Sequence, residues 1–447
     1  MKLNLPRSVV LSGLADWVVG GLLGGLVACQ RPLAEPPQPR PPAGVVPVKV
    51  EMRDGQARLL RGGQPYYIKG AGGLERLAAV RQAGGNSIRL WSTDYAETLL
   101  DDAQQQGLTV MLGIWLEREQ EGFDYYDAAA VRRQKEHVRE QVLRFRHHPA
   151  LLMWNLGNEL DLEATNPMVY EAVNDLARMV HELDPHHPVT TTLTGQLGMI
   201  RNIRAWCPEL DVLSVNAYGS LQTLPADLRR LGWNKPYIVT EYGGKGWWES
   251  DRTSWNAPIE ETSTQKAAFA RQLYLTSVRA DSARCLGAYV FYWGHKFELT
   301  DTWYSLFTRA GEKTALVDVV QELWSGRAPA NRAPEMGGLL LNGKTAHGDL
   351  RLQAGRRYPA LVVGTDPEAD SLRVRWEVVP DKTPAEENLY KPRSTPPEPV
   401  AGSIEGAWGL QAQLVAPARP GRYRLHATLL DGQGGAATAN LPFYVSP

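Results

Sequence analysis

The sequence is short of cysteine, of net charge and of long apolar runs, and each shortage excludes a class of protein. Three cysteines in 447 residues are too few for a fold built on disulfides. With 48 basic and 49 acidic residues the formal net charge is -1, so no strong field favours nucleic acid, and a neutral partner is expected. The apolar run 17–28 is shorter than the about 20 residues of a membrane-spanning helix.

Phenylalanine is also scarce, with 7 residues against 14 tryptophans. A tryptophan is costly to bury fully because its indole N–H needs a partner, whereas its flat face suits a sugar ring. The excess of tryptophan therefore hints at a carbohydrate partner.

The N-terminus is typical of an export signal. Lys2 and Arg7 precede the apolar run, which ends in Leu26-Val-Ala-Cys29. This ending resembles a bacterial lipobox, which implies that residues 1–29 are a signal peptide, that Cys29 is acylated and that the lipid anchors the protein to a membrane. Gln30 resembles the residue that sorts such lipoproteins to an outer membrane. The expected location is the periplasmic or cell-surface face of the membrane. The alternative to a lipobox is an ordinary secretory signal whose last residues include a cysteine.

Two patterns follow the signal. Residues 30–47 are rich in proline and are expected to form an extended linker. Residues 48–61 resemble a hairpin around Asp54-Gly55, interpreted as a lid over the N-terminal mouth of a barrel.

The other two cysteines, Cys207 and Cys285, are either a disulfide pair or two buried thiols.

Residues 48–328 alternate short apolar runs with helical stretches, the pattern of repeated βα units. Eight runs qualify as strands, and eight such units predict a (β/α)8 TIM barrel. The predicted strands are Tyr66–Gly70, Asn86–Trp91, Leu108–Trp115, Leu151–Leu156, Val189–Leu193, Val212–Asn216, Tyr237–Glu241 and Gly287–Trp293. The predicted helices include 74–83, 95–106, 128–147, 168–183 and 264–280.

Residues 331–447 lose the helical pattern and alternate polar with apolar residues, as in 372–378 and 423–429. This predicts a C-terminal immunoglobulin-like β-sandwich, interpreted as a spacer rather than a sugar-binding module. Asp366 and Asp370 allow a calcium site or, more simply, turn-forming carboxylates.

Two glutamates carry the expected chemistry. Glu159 follows the fourth predicted strand and Glu241 ends the seventh, and the C-terminal ends of barrel strands are where active sites lie. A glycosidic bond is cleaved by one carboxylic acid that protonates the leaving oxygen and one carboxylate at the anomeric carbon. The pair therefore predicts glycoside hydrolysis, with no cofactor and no metal.

The motifs Trp154-Asn-Leu-Gly-Asn-Glu159 and Thr240-Glu241-Tyr-Gly resemble those of retaining glycoside hydrolases of the family 2 and family 5 superfamily. The chain most resembles bacterial family 2 barrel domains with an immunoglobulin-like tail, without the family's usual N-terminal sandwich domains. The resemblance implies that Glu159 is the acid/base and Glu241 the nucleophile. The segment that opens the predicted barrel, Tyr66-Tyr-Ile-Lys-Gly70, also resembles fungal β-glucan transglycosylases of the same superfamily.

The resemblance also implies substrate-binding residues. Arg89 would keep the nucleophile ionised, Asn158 would hold the sugar 2-hydroxyl, and Trp293 would floor the subsite of the cleaved sugar. The other candidates for the substrate site are Asn216, Tyr218, Trp115, Trp247 and Trp248, with Trp255, Trp303 and Tyr304 as further cleft aromatics.

The function predicted from these residues is retaining hydrolysis of a β-linked glucan or related oligosaccharide. Two alternatives stay open: a β-glucan transglycosylase of the same mechanism, and a non-catalytic carbohydrate-binding protein of the cell envelope. A binder needs neither an acid nor a nucleophile, so the two glutamates favour an enzyme.

The lipobox interpretation predicts that Cys29→Ser releases the protein from membranes, because the acylated thiol would be the anchor. Membranes washed with carbonate and probed for the protein measure this. A variant that stays membrane-bound would contradict the interpretation.

Overall fold

The computed structural model describes Pro42 and residues 44–382 and 396–447. The predicted signal peptide, Cys29 and most of the proline-rich linker lie outside this range. No helix in the described ranges is long and apolar enough to cross a membrane.

Eight parallel strands close into a barrel, in the order β10-β11-β4-β5-β6-β7-β8-β9. Three short antiparallel strands precede the barrel: β1 Val48–Arg53, β2 Gln56–Arg61 and β3 Gln64–Pro65. The barrel strands are β4 Ile68–Gly72, β5 Ser87–Leu90, β6 Thr109–Ile114, β7 Leu151–Asn158, β8 Val189–Thr194, β9 Val212–Asn216, β10 Tyr237–Tyr242 and β11 Cys285–Phe291. All eight predicted strands are present, with ends that differ by at most two residues.

Helices cover the outside of the barrel. They are α1 Leu77–Gln82, α2 Ala96–Gln105, α3 Ala128–Phe145, α4 Met168–Leu183, α5 Ile200–Trp206, α6 Leu224–Arg230, α7 Ser263–Leu273 and α8 Ala315–Ser325. A π-helical segment, Tyr274–Arg279, extends α7 to almost the predicted end. The five predicted helices are all present, and the short α5 and α6 are of a length for which periodicity gives little signal.

The alternation within each strand separates two cores. In β6, Val110, Leu112 and Ile114 pack outward against the helices, while Met111 points into the barrel. Side chains fill the barrel axis: a Cβ on Gly70 would stand 2.2 Å from the Tyr289 ring. Only glycine leaves room there for that ring.

The hairpin of β1 and β2 closes the N-terminal mouth, as predicted. Val48 and Leu59 pack on the barrel interior with Ile68, Leu152 and other inward side chains. The backbone N–H of Val48 also donates to the carbonyl of His186, at 2.8 Å. The hairpin therefore covers the end of the barrel opposite the C-terminal ends of its strands.

Two four-stranded sheets follow the barrel, in the orders β12-β14-β17-β16 and β13-β19-β18-β15. Their strands are β12 Glu335–Leu341, β13 Arg351–Gln353, β14 Arg357–Thr365, β15 Arg373–Pro380, β16 Ile404–Trp408, β17 Gln411–Val415, β18 Gly421–Leu430 and β19 Ala436–Ser446. The sheets share one apolar core, which confirms the predicted sandwich. Strand β19 and helix α7 pack together where the sandwich meets the barrel.

Both described cysteines are free. Cys207 and Cys285 are buried thiols, and burial raises the pKa of each to about 12. Of the two alternatives left by the sequence, the structure shows the thiols.

The hairpin plug predicts that Leu59→Ala lowers the free energy of unfolding by about 2–5 kcal/mol, because it opens a cavity under the barrel. Met52→Ala, on the same hairpin but 45% exposed, should change it by less than about 0.5 kcal/mol. Urea denaturation followed by fluorescence measures both. Equal effects would show that the hairpin does not brace the barrel.

Candidate active site

The two glutamates meet at the C-terminal mouth of the barrel. Glu241 lies within β10, and Glu159 follows β7 immediately. Asn216, the last residue of β9, lies between them and donates from Nδ2 to Oε1 of Glu159 at 2.9 Å. The mouth therefore has one shared polar centre, as the motifs predicted.

Three donors hold Glu241. Arg89 Nη1 donates to Oε1 at 2.6 Å and the Trp91 indole N–H donates to the same oxygen at 2.8 Å. The Tyr218 hydroxyl donates to Oε2 at 2.7 Å. Arg89 is fully buried, so its charge acts on Glu241 at low local dielectric.

The amide of Asn158 is oriented by the same network. Its Oδ1 accepts from Arg89 Nη2 at 2.6 Å and from Asn216 Nδ2 at 3.1 Å. Thr240 in turn donates to Asn216 Oδ1 at 2.9 Å, which settles which end of that amide faces Asn158. With its oxygen engaged twice, Asn158 keeps its N–H groups for a substrate hydroxyl.

Glu159 has different surroundings. Burial, the negative charge of Glu241 and that of Asp161 raise its pKa to about 7, against the lowering effects of the Asn216 hydrogen bond and the charge of Arg89. Its backbone is left-handed, with φ of 52°, a conformation that costs energy for a residue with a side chain. A carboxyl that keeps its proton near neutral pH is suited to act as a general acid.

The sequence reasoning missed two aromatics at the mouth. Trp91 contacts the nucleophile candidate directly, and Tyr292 stacks on Trp91 with centroids 6.0 Å apart. A signal for Trp91 existed: it lies two residues after Arg89, and alternate residues of a strand share a face.

The prediction for Trp293 is wrong. Its ring is 1% exposed and lies outward, stacked on Trp324 of α8 at 6.0 Å and edge-on to Phe307. Its indole N–H donates to the carbonyl of Arg76. Trp293 therefore packs between the barrel and its helices, and Tyr292, one residue earlier, is the ring that faces Trp91.

Three other predicted cleft aromatics pack against neighbouring protein groups. Trp255 lies against Tyr444 and Arg351 of the sandwich. Trp303 and Tyr304 are 2% and 4% exposed and form the wall behind Tyr218, whose ring centroid is 5.4 Å from that of Tyr304. They shape the site without offering a face to sugar.

The remaining predicted aromatics lie at the rim. Trp248 is half exposed and meets Tyr218 edge-on at 5.6 Å, so it continues the site outward. Trp247 packs on Trp248, and Trp115 lies under Arg118 with the guanidinium 5.1 Å from the ring. Trp248 is the ring among these best placed to stack on a substrate.

One acidic cluster lies away from the mouth. Asp366, Asp370 and Asp431 bring carboxylate oxygens within 4.8 Å of one another, close enough to hold a cation. Asp366 also accepts the backbone N–H groups of Glu368 and Asp370, as a turn-forming aspartate does. The sequence paired the first two residues, and the fold adds Asp431.

Comparison with known proteins shows which family the barrel resembles. The model of the glycosyl hydrolases family 2 TIM barrel domain matches residues 78–250. The β-glucuronidase of Paenibacillus borealis is 27% identical over 241 residues, 45% of this chain and 38% of that protein. The β-glucuronidase of Rattus norvegicus is 25% identical over 240 residues, 45% of this chain and 34% of that protein. The chain thus spans well under half the length of these relatives.

Solved structures share the fold. A structure described as the "calcium binding mutant of Bacteroides uniformis beta-glucuronidase 2" matches with a TM-score of 0.51 and 15% identity, over 90% of this chain and 48% of that one. The beta-D-glucuronidase of Dictyoglomus thermophilum matches with a TM-score of 0.50 and 20% identity, over 63% and 54%.

We expect Glu241→Gln to lower the pKa of Glu159, because the charge on Glu241 is one of the two main causes of the raised pKa of Glu159. The pKa should stay above the ordinary value, since burial remains. Carbon-13 NMR titration of labelled glutamate side chains, assigned with Glu159→Gln, measures the shift. An unchanged pKa would show that the two carboxylates do not interact.

Proposed function

We propose that the protein is a family 2 glycoside hydrolase that hydrolyses β-linked glycosides with retention of configuration; the match of residues 78–250 to the family 2 barrel model supports this. The observation that carries the proposal is that two carboxyls at one mouth of the barrel have different surroundings. Glu241 is held by Arg89, Trp91 and Tyr218, whereas the pKa of Glu159 is raised to about 7. A nucleophile and a general acid need these opposite conditions.

The reaction proceeds in two steps. A carboxylate oxygen of Glu241 forms a bond to the anomeric carbon while the glycosidic C–O bond breaks, and Glu159 gives its proton to the leaving oxygen. Glu159, now ionised, takes a proton from water, whose oxygen attacks the same carbon and releases Glu241. Asn158 donates to the sugar hydroxyl beside the reacting carbon, where a hydrogen bond strengthens in the transition state.

The proposed substrate is a β-linked glucan or related neutral oligosaccharide. The relatives that are β-glucuronidases make a uronic acid the main alternative. Two lysines near the mouth are already in ion pairs, Lys296 with Glu298 and Lys245 with Glu261. A neutral sugar would leave these pairs intact, and the half-exposed Trp248 offers an apolar face for its ring.

Transfer to a second sugar differs from hydrolysis only in the acceptor that attacks the intermediate. The resemblance of residues 66–70 to transglycosylases keeps that outcome in the test.

We further propose that the enzyme is an exported lipoprotein held by a lipid on Cys29, at the periplasmic or cell-surface side of a bacterial membrane. The support is the sequence Leu26-Val-Ala-Cys29 after an apolar run.

The proposal predicts that the protein shortens one class of β-linked oligosaccharide and that Glu241→Gln abolishes turnover. Substrates are β-1,2-, β-1,3-, β-1,4- and β-1,6-linked glucans and aryl β-glucuronides. Mass spectrometry sizes the products, and NMR identifies the first-formed anomer as β. Glu117→Gln, an exposed carboxylate in the loop after β6, is the matched control and should keep activity.

Longer products would identify a transglycosylase, and cleavage of glucuronides alone would overturn the neutral-sugar assignment. Sugar binding without turnover, unchanged by Glu241→Gln, would indicate a carbohydrate-binding protein and overturn the enzymatic proposal.

A further inference from the structure

A buried polar cluster joins the sandwich to the barrel beside the active site. Lys266 of α7 forms an ion pair with Glu260 at 2.5 Å, and both side chains are almost fully buried. Asn440 of β19 donates from Nδ2 to Glu260 and, at 3.2 Å, to the hydroxyl of Thr302. The barrel, the sandwich and the loop after β11 thus meet in one set of hydrogen bonds.

The loop is held from several directions. The hydroxyl of Thr300 donates to Glu260 Oε2 at 2.6 Å, and that of Thr302 donates to Oε1 at 2.8 Å. Lys266 Nζ donates to the carbonyl of Thr302 at 2.7 Å. Side chain and backbone of one short segment, residues 300–302, are therefore tied to the same buried ion pair.

The buried charges of Glu260 and Lys266 make the hydrogen bonds to this loop costly to break. Burial alone would raise the pKa of Glu260, but the Lys266 ammonium and the threonine hydroxyls outweigh it and lower that pKa to about 2. A buried ion that loses a partner costs far more than a surface one. The segment is consequently fixed in one position rather than left to move as an ordinary surface loop.

The sandwich side of the cluster is itself braced. Arg424 of β18 donates from Nη1 to Asn440 Oδ1 at 2.7 Å and forms a buried ion pair with Asp381 at 2.9 Å. Its Nη2 also donates to the carbonyl of Pro258 in the barrel, at 3.0 Å. Asn440 is thereby oriented with its donors toward Glu260 and the loop.

The next residues of the loop reach the nucleophile. The Trp303 indole donates to the carbonyl of Lys245, and the Tyr304 carbonyl accepts from the N–H of Tyr292 at 2.9 Å. The buried Tyr304 ring packs on that of Tyr218, whose hydroxyl donates to Glu241. A continuous path of direct contacts leads from Asn440 to the carboxylate.

We propose that the C-terminal sandwich is part of the catalytic apparatus, with Asn440 as a positioning residue that sets the 300–304 loop and, through Tyr304 and Tyr218, the orientation of Glu241. This rests on the proposed function of Glu241. It replaces the interpretation of the sandwich as a spacer. The acid side of the mouth, at Glu159, does not lie on this path.

The test uses the full chain with Asn440→Ala and, from the loop side, Thr302→Val. Each should lower kcat about 10-fold, because small misplacements of a reacting group cost rate steeply. The melting temperature should fall by only a few degrees, because Glu260 loses one donor but keeps the ion pair with Lys266. The alkaline limb of the pH profile should stay in place, since it reports Glu159. Asn331→Ala is the matched control: this asparagine lies between barrel and sandwich but bonds to Asp431, so its kcat should stay unchanged.

The double variant separates a path from two unrelated defects. If Asn440 and Thr302 act through one contact, the double variant is no slower than the slower single variant. Multiplying losses, or a wild-type kcat in either single variant, would overturn the proposal.

Hydrogen exchange of residues 298–304, measured on the same proteins, should rise in both single variants and not in Asn331→Ala. Hydrogen exchange can be measured without turnover. An inactive wild-type protein would therefore contradict the proposed function but not the positioning role. Unchanged exchange would sink the positioning role.

Discussion

The ion pair between Arg89 and Glu241 is the interaction on which the mouth of this barrel depends. A guanidinium with no exposure to solvent carries a large desolvation cost, which an ion pair and hydrogen bonds to both Nη groups offset in part. Arg89 has Glu241, Asn158 and the carbonyl of Thr240. One side chain thereby links its own strand, β5, to groups on two others, β7 and β10.

From that centre the two carboxyls diverge. Glu241 accepts hydrogen bonds from Arg89, Trp91 and Tyr218. Glu159 has one amide donor and a neighbouring negative charge, so its neutral form is stabilised. The same Asn216 touches Asn158 and Glu159, which links the two halves geometrically while their electrostatics differ. The proposed division of labour between an acid and a nucleophile follows from environment rather than residue type.

The barrel and the two glutamates could be predicted because their signals are local. Buried parallel strands are short apolar runs, and a catalytic residue at a strand end is specified by the strand that carries it. The aromatics were harder, because the direction of a ring depends on what packs beside it. Trp293 was assigned to the site, yet the helix layer takes its ring, and Tyr292 faces Trp91 instead. The same holds for Trp255, which the sandwich covers.

The sequence by itself determined the element order, the strand ends and the pair of glutamates, since these depend on periodicity and short motifs read within a few residues. Only the tertiary structure decided which side chains surround each carboxyl and where the sandwich docks on the barrel. Trp91 and Glu241 are 150 positions apart, and Asn440 and Glu260 are 180 apart. Contacts at such separation are set by the closure of the barrel and the docking of the sandwich, and no local pattern encodes them.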